Sequence, residues 1–395
     1  MPRPTDRDIA PYVFHETLVE DHREDLLRSG EGCVAALDDG SLLMVYGVFK
    51  GGGDADKADL VERRSDDGGK TWTPRKTIMA SPGDSLNIMS VSLLNLRDGH
   101  LAMVYLHKKS LGDCRPVFQT SGDGGRSWAE PVTAIDEPAY YVVNNDRLVQ
   151  LSSGRVLIPF SWHGDELGRA PSVCGCAFSD DLGKTWQLGR DRIGILPKNV
   201  KEPKVMEENY AFNLAHIRER NVAVQEPGVV ELLDGRVMMW CRTPGGYAYR
   251  ALSEDGGDTW GPFEAMEDFA MPCGPQSIKR LPGSERLVML FNDRQEVPIG
   301  HSQFGWRRPL TVGVSDDDGA TWRRLGLLEP ESVPSNCYYS LCFHGENVVF
   351  TYYEGVWRTN EAGLVSPRNL TSLKLKIVAR EYFDQNPASE DQGGA

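Results

Sequence analysis

One eight-residue pattern occurs five times along the chain and limits the fold more than any other feature of the sequence. The pattern is Ser-x-Asp-x-Gly-x-Ser/Thr-Trp, and its copies occupy residues 65–72, 121–128, 179–186, 253–260 and 315–322. The Asp side chain can accept hydrogen bonds from backbone N–H groups, the Gly permits a positive φ, and the Trp can cover the turn. Each copy therefore predicts a tight hairpin turn with a structural role, and not a catalytic or calcium site.

A second repeat alternates with the first. It consists of two apolar segments around a glycine-containing turn, as in residues 36–46 and 231–240, and this arrangement is typical of a β-hairpin. The six turns are centred on Gly40, Gly99, Gly154, Gly235, Gly283 and Gly345. The first five hairpins are each followed by one eight-residue pattern, which predicts a repeating unit of four strands.

Six such units predict an all-β fold, a six-bladed β-propeller with four-stranded antiparallel blades, because a blade has exposed edges until its neighbours close the ring. We expect one domain from residue 10 to residue 384. A strand at residues 12–19 is expected to complete the last blade. Residues 1–9 and 385–395 are expected to be flexible tails.

Charge and hydropathy exclude several classes of partner. The net charge of −14 disfavours binding to nucleic acid. No run of about 18 apolar residues is present, so no membrane span is expected, and the N-terminus lacks the apolar core of a signal peptide. We therefore expect a cytoplasmic protein. The eight cysteines form no CxxC pair, which predicts buried, reduced thiols and neither a metal site nor a cofactor.

The antiparallel order of the strands predicts which face of the ring carries the function. The glycine turns and the eight-residue turns leave each blade on one face, so a functional site must lie on the other face. Polar residues predicted there include Asn145, Lys108 and His163. Two insertions, residues 188–224 and 293–306, also belong to that face, and residues 207–216 of the first predict a short helix that acts as a wall or lid.

The eight-residue pattern is the Asp box, and with residues 225–242 it makes the chain resemble the bacterial sialidase superfamily over essentially its whole length. Asp boxes also occur in propellers that are not enzymes, so residues 225–242 are the stronger indication of function. This resemblance implies that Glu226 is a catalytic base and that Arg242 binds substrate. It also implies a second substrate-binding arginine eight residues before Ser315, which is Arg307, with Arg308 as the alternate.

The same resemblance implies a nucleophile and an acid/base. Tyr339, followed by Ser340, matches the family's nucleophilic Tyr, and Asp54 or Asp56 lies where the family has an acid/base Asp on a mobile loop. A neutral phenol is repelled less than a carboxylate by an anionic sugar, but it is a weak nucleophile at neutral pH. We therefore expect the Glu226 carboxylate to accept a hydrogen bond from the Tyr339 hydroxyl and to take its proton.

One part of the sequence departs from the family pattern. Sialidases carry the first arginine of their carboxylate-binding triad in an Arg-Ile-Pro motif, whereas the corresponding residues 30–34 contain Glu31. Arg147, from another blade, could supply the missing positive charge. Alternatively, the substrate is a different sugar, a uronic acid or a neutral glycoside, whose hydroxyls bind Glu31 and Asn145, with His163 also bordering the pocket.

Taken with this resemblance, the sequence predicts an exo-glycoside hydrolase that removes a terminal, acidic sugar from a glycan or oligosaccharide. Two alternatives stay open at this point. The first is a polysaccharide lyase, in which Tyr339 or His163 would abstract the proton next to a uronate carboxylate. The second is a non-catalytic propeller that binds a glycan without changing it.

Overall fold

The computed structural model describes residues 3, 5–164, 172–196, 223–293, 307–359, 363 and 365–386. A short 3-10 helix, Ala10–Tyr12, leads into strand β1, Val13–Glu20. Six antiparallel sheets then follow in chain order as blades one to six, which confirms the predicted six-bladed all-β propeller. The predicted helix at 207–216 and almost all of the second insertion lie outside the described residues.

The first three blades hold strands β2 to β14. Blade one consists of β2 (Arg28–Ala36), β3 (Leu42–Phe49), β4 (Ala58–Ser65) and β5 (Lys76–Met79). Blade two consists of β6 (Asn87–Asn95), β7 (Leu101–Lys108), β8 (Cys114–Ser121) and β9 (Val132–Thr133). Blade three consists of β10 (Tyr141–Val142), β11 (Val149–Gln150), β12 (Val156–Trp162), β13 (Val173–Ser179) and β14 (Gln187–Leu188).

The remaining blades hold strands β15 to β25 and, in the last blade, β1. Blade four consists of β15 (Gln225–Glu231), β16 (Val237–Arg242), β17 (Tyr249–Ser253) and β18 (Glu264–Ala265). Blade five consists of β19 (Ser277–Arg280), β20 (Leu287–Asn292), β21 (Leu310–Ser315) and β22 (Arg323–Glu329). Blade six consists of β23 (Asn336–His344), β24 (Asn347–Thr359), β25 (Val365–Ala379) and β1.

The ring is closed by its own N-terminal strand. β1 pairs with β25 as the outermost strand of blade six, with Thr17 opposite Leu375, which confirms the strand predicted at residues 12–19. Residues 5–9, which precede the predicted domain, lie against blade five. There Arg324 donates hydrogen bonds to Asp6, and the Arg7 N–H donates to the Leu325 carbonyl. A short helix α1 (Glu381–Asp384) follows β25.

Blade three departs from the predicted four strands because its inner strand is divided. Both β10 and β11 pair with β12, and residues 143–148 between them form no strand. This interruption frees the polar residues 144–147 to reach toward other blades across the centre of the ring.

The core fills the space between neighbouring blades. The middle strands are buried on both faces, as in β3, where the consecutive residues Leu43, Met44 and Val45 have no exposed surface. This burial explains why those strands are almost continuously apolar. All eight cysteines are buried free thiols, as predicted. The described helices are only three and four residues long, so no helix among the described residues could span a bilayer.

The Asp boxes form hydrogen-bonded turns. In the first box, Asp67 accepts hydrogen bonds from the Ser65 hydroxyl at 2.8 Å, from the Thr71 N–H at 2.9 Å and from the Thr71 hydroxyl at 2.6 Å. The bonds from Thr71 are the main reason why the pKa of Asp67 falls to about 2. The Asp therefore organises the turn, which agrees with the predicted structural role.

We predict that Asp67→Ala lowers the melting temperature by roughly 2 °C, because a surface turn in a large domain loses its hydrogen bonds. Asp66→Ala is the matched control, since Asp66 is exposed in the same turn and makes no side-chain hydrogen bond among the described residues. Thermal unfolding followed by circular dichroism checks this. Equal melting temperatures for the two variants would contradict the structural role.

Candidate active site

A cavity of about 150 Å³ lies on the face of the ring opposite the Asp boxes. Its walls come from the first residues of inner strands and from the ends of second strands. Glu31, Ser90 and Glu226 belong to the first group, and Lys108 and Arg242 to the second. The Asp boxes follow the third strands at the other end of blades one to five, so the cavity lies on the face that strand order predicted for a site.

A β-bulge at the start of the inner strands aims side chains into this cavity. In blade one, Glu31 and Gly32 together oppose Tyr46, because Gly30 pairs with Gly47 and Cys33 pairs with Val45. Blades two, four and six carry the same irregularity after residues 89, 225 and 337. The first bulge residue has a positive φ in each case: Glu31 at 54°, Ser90 at 60°, Glu226 at 50° and Tyr338 at 59°. Non-glycine residues adopt such angles at a cost, and strained residues of this kind cluster at functional sites.

Because of the bulge in blade six, Tyr338 lies at the cavity in place of the predicted Tyr339. The Tyr338 hydroxyl donates a hydrogen bond to Glu226 Oε1 at 2.9 Å, and Tyr338 lines the cavity. Tyr339, the second bulge residue, points into the core instead, where its hydroxyl donates to Asn292 Oδ1 at 3.0 Å and to the Asn336 carbonyl at 2.9 Å. The expected contact between Glu226 and Tyr339 was therefore wrong, because a bulge shifts the alternation of side chains by one residue.

Glu226 joins the tyrosine to an arginine. Arg242 Nη2 lies 3.0 Å from Glu226 Oε1, the same oxygen that accepts the Tyr338 hydroxyl, and both ionic side chains are more than nine-tenths buried. Burial and the negative charge of Glu226 raise the pKa of the Tyr338 hydroxyl well above its ordinary value. The phenol is therefore neutral in the resting site and has a carboxylate placed to receive its proton.

The two neighbouring arginines predicted in blade five lie in different places. The Arg307 guanidinium is buried with its centre 5.4 Å from the Tyr338 ring, and its Nη2 donates to the Cys273 carbonyl at 3.3 Å. Arg308 lies 4.7 Å from the Trp357 ring. Neither arginine is among the residues that line the described cavity, although both were predicted to bind substrate. Of the two, only Arg307 is in contact with the tyrosine of the site.

Blade one contributes a cluster that sequence analysis missed in part. Arg28 Nη1 donates to Asp54 and Arg28 Nη2 donates to Glu31, and we call these three residues the blade-one cluster. Arg28 is 1% exposed, Glu31 is 3% exposed and the Asp54 side chain is 67% exposed. Burial opposes the charge of Asp54, but the positive charges of Arg28, Lys108 and Arg242 outweigh it and lower its pKa.

Asp54 and Asp56, which the sequence could not separate, have different positions. Asp54 lines the cavity, and its backbone carbonyl accepts hydrogen bonds from Lys108 Nζ at 2.8 Å and Asn87 Nδ2 at 2.7 Å. Asp56 is not among the cavity-lining residues. Its carboxylate accepts a hydrogen bond from the Gly53 N–H at 2.7 Å and so organises the loop that carries Asp54.

Asn145 and Arg147 do not occupy the predicted positions, because both turn into the interior of the ring. Asn145 is fully buried, and its Nδ2 donates to the carbonyls of Gly32 at 2.8 Å and Tyr338 at 3.2 Å. Arg147 Nη1 donates to the Ser277 hydroxyl at 2.9 Å, and burial is the main reason why its pKa falls to about 10. Arg147 does not line the cavity, so it is not placed to supply the positive charge that the sequence suggested there. Both side chains link blade three to blades that are not its neighbours in the ring.

His163 lines the cavity, as the sequence predicted. Its Nε2 lies 3.2 Å from the Ser161 hydroxyl, and its ring packs edge-on against Tyr140. Burial, with a smaller effect from the charge of Arg242, lowers the pKa of His163 to about 4. The imidazole is therefore neutral at neutral pH.

Several functional candidates lacked a clear sequence signal. Arg28 lies at the start of β2, three residues before Glu31. Tyr140 lines the cavity from the residue before β10, and Asn144 lines it from the segment between β10 and β11. Among the residues that the structure describes, no three His, Cys, Asp or Glu side chains are grouped to hold a metal ion.

One protein-family model matches most of the chain. The model of the BNR repeat-like domain matches residues 48–354. The chain belongs to this family. Among curated proteins, the BNR repeat-like chain is similar to a sialidase from Micromonospora viridifaciens, with 23% identity over 93% of this chain and 57% of the relative. The chain spans little more than half the length of the curated relatives that it matches.

Solved structures give the same fold for the BNR repeat-like chain. The Hadza microbial sialidase Hz136 matches with a TM-score of 0.67 and 17% identity, over 92% of this chain and 68% of that one. A Trypanosoma rangeli sialidase in complex with the inhibitor DANA matches with a TM-score of 0.63 and 14% identity, over 95% of this chain and 59% of that one. At this identity, the structural likeness shows the fold alone.

We predict that Asn145→Ala lowers the free energy of unfolding by about 2 kcal/mol, because two buried carbonyl groups lose their donor. Asn145→Asp should cost more, since it places a carboxylate against the same two carbonyls. Urea unfolding measures both variants. An Asp variant as stable as the wild type would contradict the inference that Asn145 links blades one, three and six through hydrogen bonds.

The low pKa of His163 predicts that the stability of the fold depends on pH. In the unfolded chain a His has a pKa near 6.5, so between about pH 6.5 and pH 4 the unfolded state takes up a proton that folded His163 does not, and stability falls by up to about 3 kcal/mol. His163→Gln should remove this loss. Urea unfolding at pH 7 and pH 4 measures the change, and parallel pH dependence in wild type and variant would contradict the low pKa.

Proposed function

We propose that the protein is a retaining exo-glycoside hydrolase of the sialidase type, which removes a terminal, acidic sugar from a glycan. The observation that carries the proposal is the 2.9 Å hydrogen bond from Tyr338 to Glu226, beside the Arg242 guanidinium and within a cavity. A phenol, a carboxylate as its base and a buried guanidinium together suit attack on an anionic sugar.

In the proposed first step, the Tyr338 oxygen attacks the anomeric carbon while Glu226 takes the phenol proton. The bond to the leaving oxygen breaks, and this oxygen receives a proton from a second acid. The product of the step is a covalent glycosyl–tyrosine. In the second step, water attacks the anomeric carbon and gives a proton to the conjugate base of the second acid, while the Tyr338 oxygen leaves and recovers its proton from Glu226.

Asp54 is the best placed proton donor for the leaving oxygen. Its side chain is exposed at the cavity wall, where a leaving group and a water molecule can reach it, whereas Glu31 is buried and bonded to Arg28 and Ser90. Because the pKa of Asp54 is lowered, only a small fraction carries a proton at neutral pH. The first step should therefore be faster at mildly acidic pH.

The relatives of the chain support the proposal at the level of the reaction class. The similar curated proteins are named sialidases, and their low identity leaves the sugar open. Residues of blades one, four and six meet at this cavity, as a site assembled by ring closure requires.

We predict that Tyr338→Phe lowers kcat on a terminal acidic glycoside by about 10³-fold or more, because only the nucleophilic oxygen is removed. Tyr339→Phe is the matched control. It removes a hydroxyl that bonds only within the core, so it should cost about 1–2 kcal/mol of stability and leave turnover per folded molecule nearly unchanged.

Assays of the wild type and of Tyr338→Phe separate the hydrolase from the lyase and from a glycan-binding propeller. Full turnover by Tyr338→Phe would contradict the nucleophilic mechanism. An unsaturated product that absorbs in the ultraviolet would indicate a lyase, and sugar binding by the wild type without turnover of any glycoside would indicate a glycan-binding propeller.

A further inference from the structure

The blade-one cluster presents carboxylates, and not a guanidinium, to the cavity. Arg28 is 1% exposed and does not line the cavity, whereas Glu31 and Asp54 do. Each nitrogen of the guanidinium already has a partner in the protein: Nε donates to the Tyr353 hydroxyl at 3.0 Å, Nη1 to Asp54 and Nη2 to Glu31. Nη1 and Nη2 each carry a second N–H, but Arg28 is buried, is paired with two carboxylates and does not line the cavity, so in the resting protein it is not placed to bind a substrate carboxylate.

Glu31 is held so that its carboxylate faces the cavity. It is the first residue of its bulge, equivalent to Glu226 and Tyr338 in the other blades, and its Oε2 accepts a hydrogen bond from the Ser90 hydroxyl at 2.8 Å. Each carboxylate oxygen can accept more than one hydrogen bond, so Glu31 can also accept from sugar hydroxyls. Burial raises the pKa of Glu31 despite the nearby Arg28, and hydroxyl donors from a ligand would relieve that cost.

Blade three supplies a hydrogen-bond donor that lacks a partner. Asn144 is 1% exposed and lines the cavity, and its Oδ1 is fixed by the Asn145 N–H at 2.8 Å. Its Nδ2 has no hydrogen-bond partner among the described residues. A buried amide donor without a partner in the wall of a cavity is costly unless a ligand accepts its hydrogen bond. The cavity thus offers acceptors from blade one and a donor from blade three, which suits a polyhydroxylated ligand.

We propose that Glu31 is a specificity residue, which binds hydroxyl groups of the terminal sugar and keeps Arg28 from binding a substrate carboxylate. The ligand class is then a sugar whose hydroxyls face blade one and whose carboxylate, where it has one, faces Arg242 in the opposite blade. The inference rests on the proposed function only in taking the ligand to be a sugar.

The test measures binding of DANA, a sialic acid analogue with one carboxylate, by isothermal titration calorimetry. Glu31→Gln removes the negative charge at constant size, and Glu31→Ser removes the carboxylate altogether. Serine at this bulge position is compatible with the fold, because Ser90 occupies the equivalent position in blade two at φ 60°. Both variants should bind DANA at least tenfold more tightly than wild type, because a repulsive charge is lost and Arg28 Nη2 is released.

Glu20→Gln is the control, because Glu20 is also a buried, arginine-paired carboxylate but bonds to Arg63 and Tyr46 outside the cavity. It changes the net charge equally and should leave the affinity for DANA unchanged. Unchanged or weaker binding by both Glu31 variants overturns the proposal, as does the absence of binding by all four proteins at millimolar DANA. Should Glu31→Gln fail to fold, Glu31→Ser decides the question.

Failure of the inference and failure of the proposed function are distinguishable, because calorimetry needs no turnover. Tighter DANA binding by the Glu31 variants together with full activity of Tyr338→Phe would retain the specificity residue and reject the mechanism. The reverse pair of results would retain the mechanism and reject Glu31.

Discussion

The site depends on one backbone feature, the bulge with a left-handed first residue near the start of an inner strand. A regular strand would send consecutive side chains to alternate faces of the blade, and both faces are filled by neighbouring blades. The bulge turns one additional side chain toward the cavity. Each left-handed non-glycine residue costs of order 1–3 kcal/mol, which must be offset by contacts around it.

Those contacts come from the divided inner strand of blade three. Asn145 bonds to the carbonyls of Gly32 and Tyr338, and so it ties the bulges of blades one and six together. Asp146, itself at φ 58°, accepts a hydrogen bond from the Leu341 N–H at 2.9 Å and from Lys279 Nζ at 2.6 Å. Residues that sequence analysis assigned to substrate binding thus hold the blades that carry the catalytic candidates.

The walls of the cavity formed by blades four and one carry different charges. Blade four has one carboxylate, Glu226, paired with Arg242, whereas blade one has two carboxylates that share Arg28. A single guanidinium neutralises only one of those two charges. Asp54 is exposed and can be hydrated, while Glu31 is buried, so burial raises the pKa of Glu31 and the surrounding cations lower that of Asp54. Neighbouring carboxyl groups thereby acquire different chemical properties.

The sequence by itself determined the six-bladed ring, the closing strand and the face that carries the cavity. Turn residues and the alternation of apolar residues are local features of a sequence. Because the strands of a blade are antiparallel, their order then assigns each turn to one face of the ring. The sequence also predicted that five residues lie at one site, and all five line the cavity: Glu226, Arg242, Asp54, Glu31 and His163. Only the tertiary structure decided between Tyr338 and Tyr339, found Arg28 and turned Arg147 away from the site. These choices depend on a one-residue bulge and on hydrogen bonds between blades far apart in the chain, and neither leaves a local pattern in the sequence.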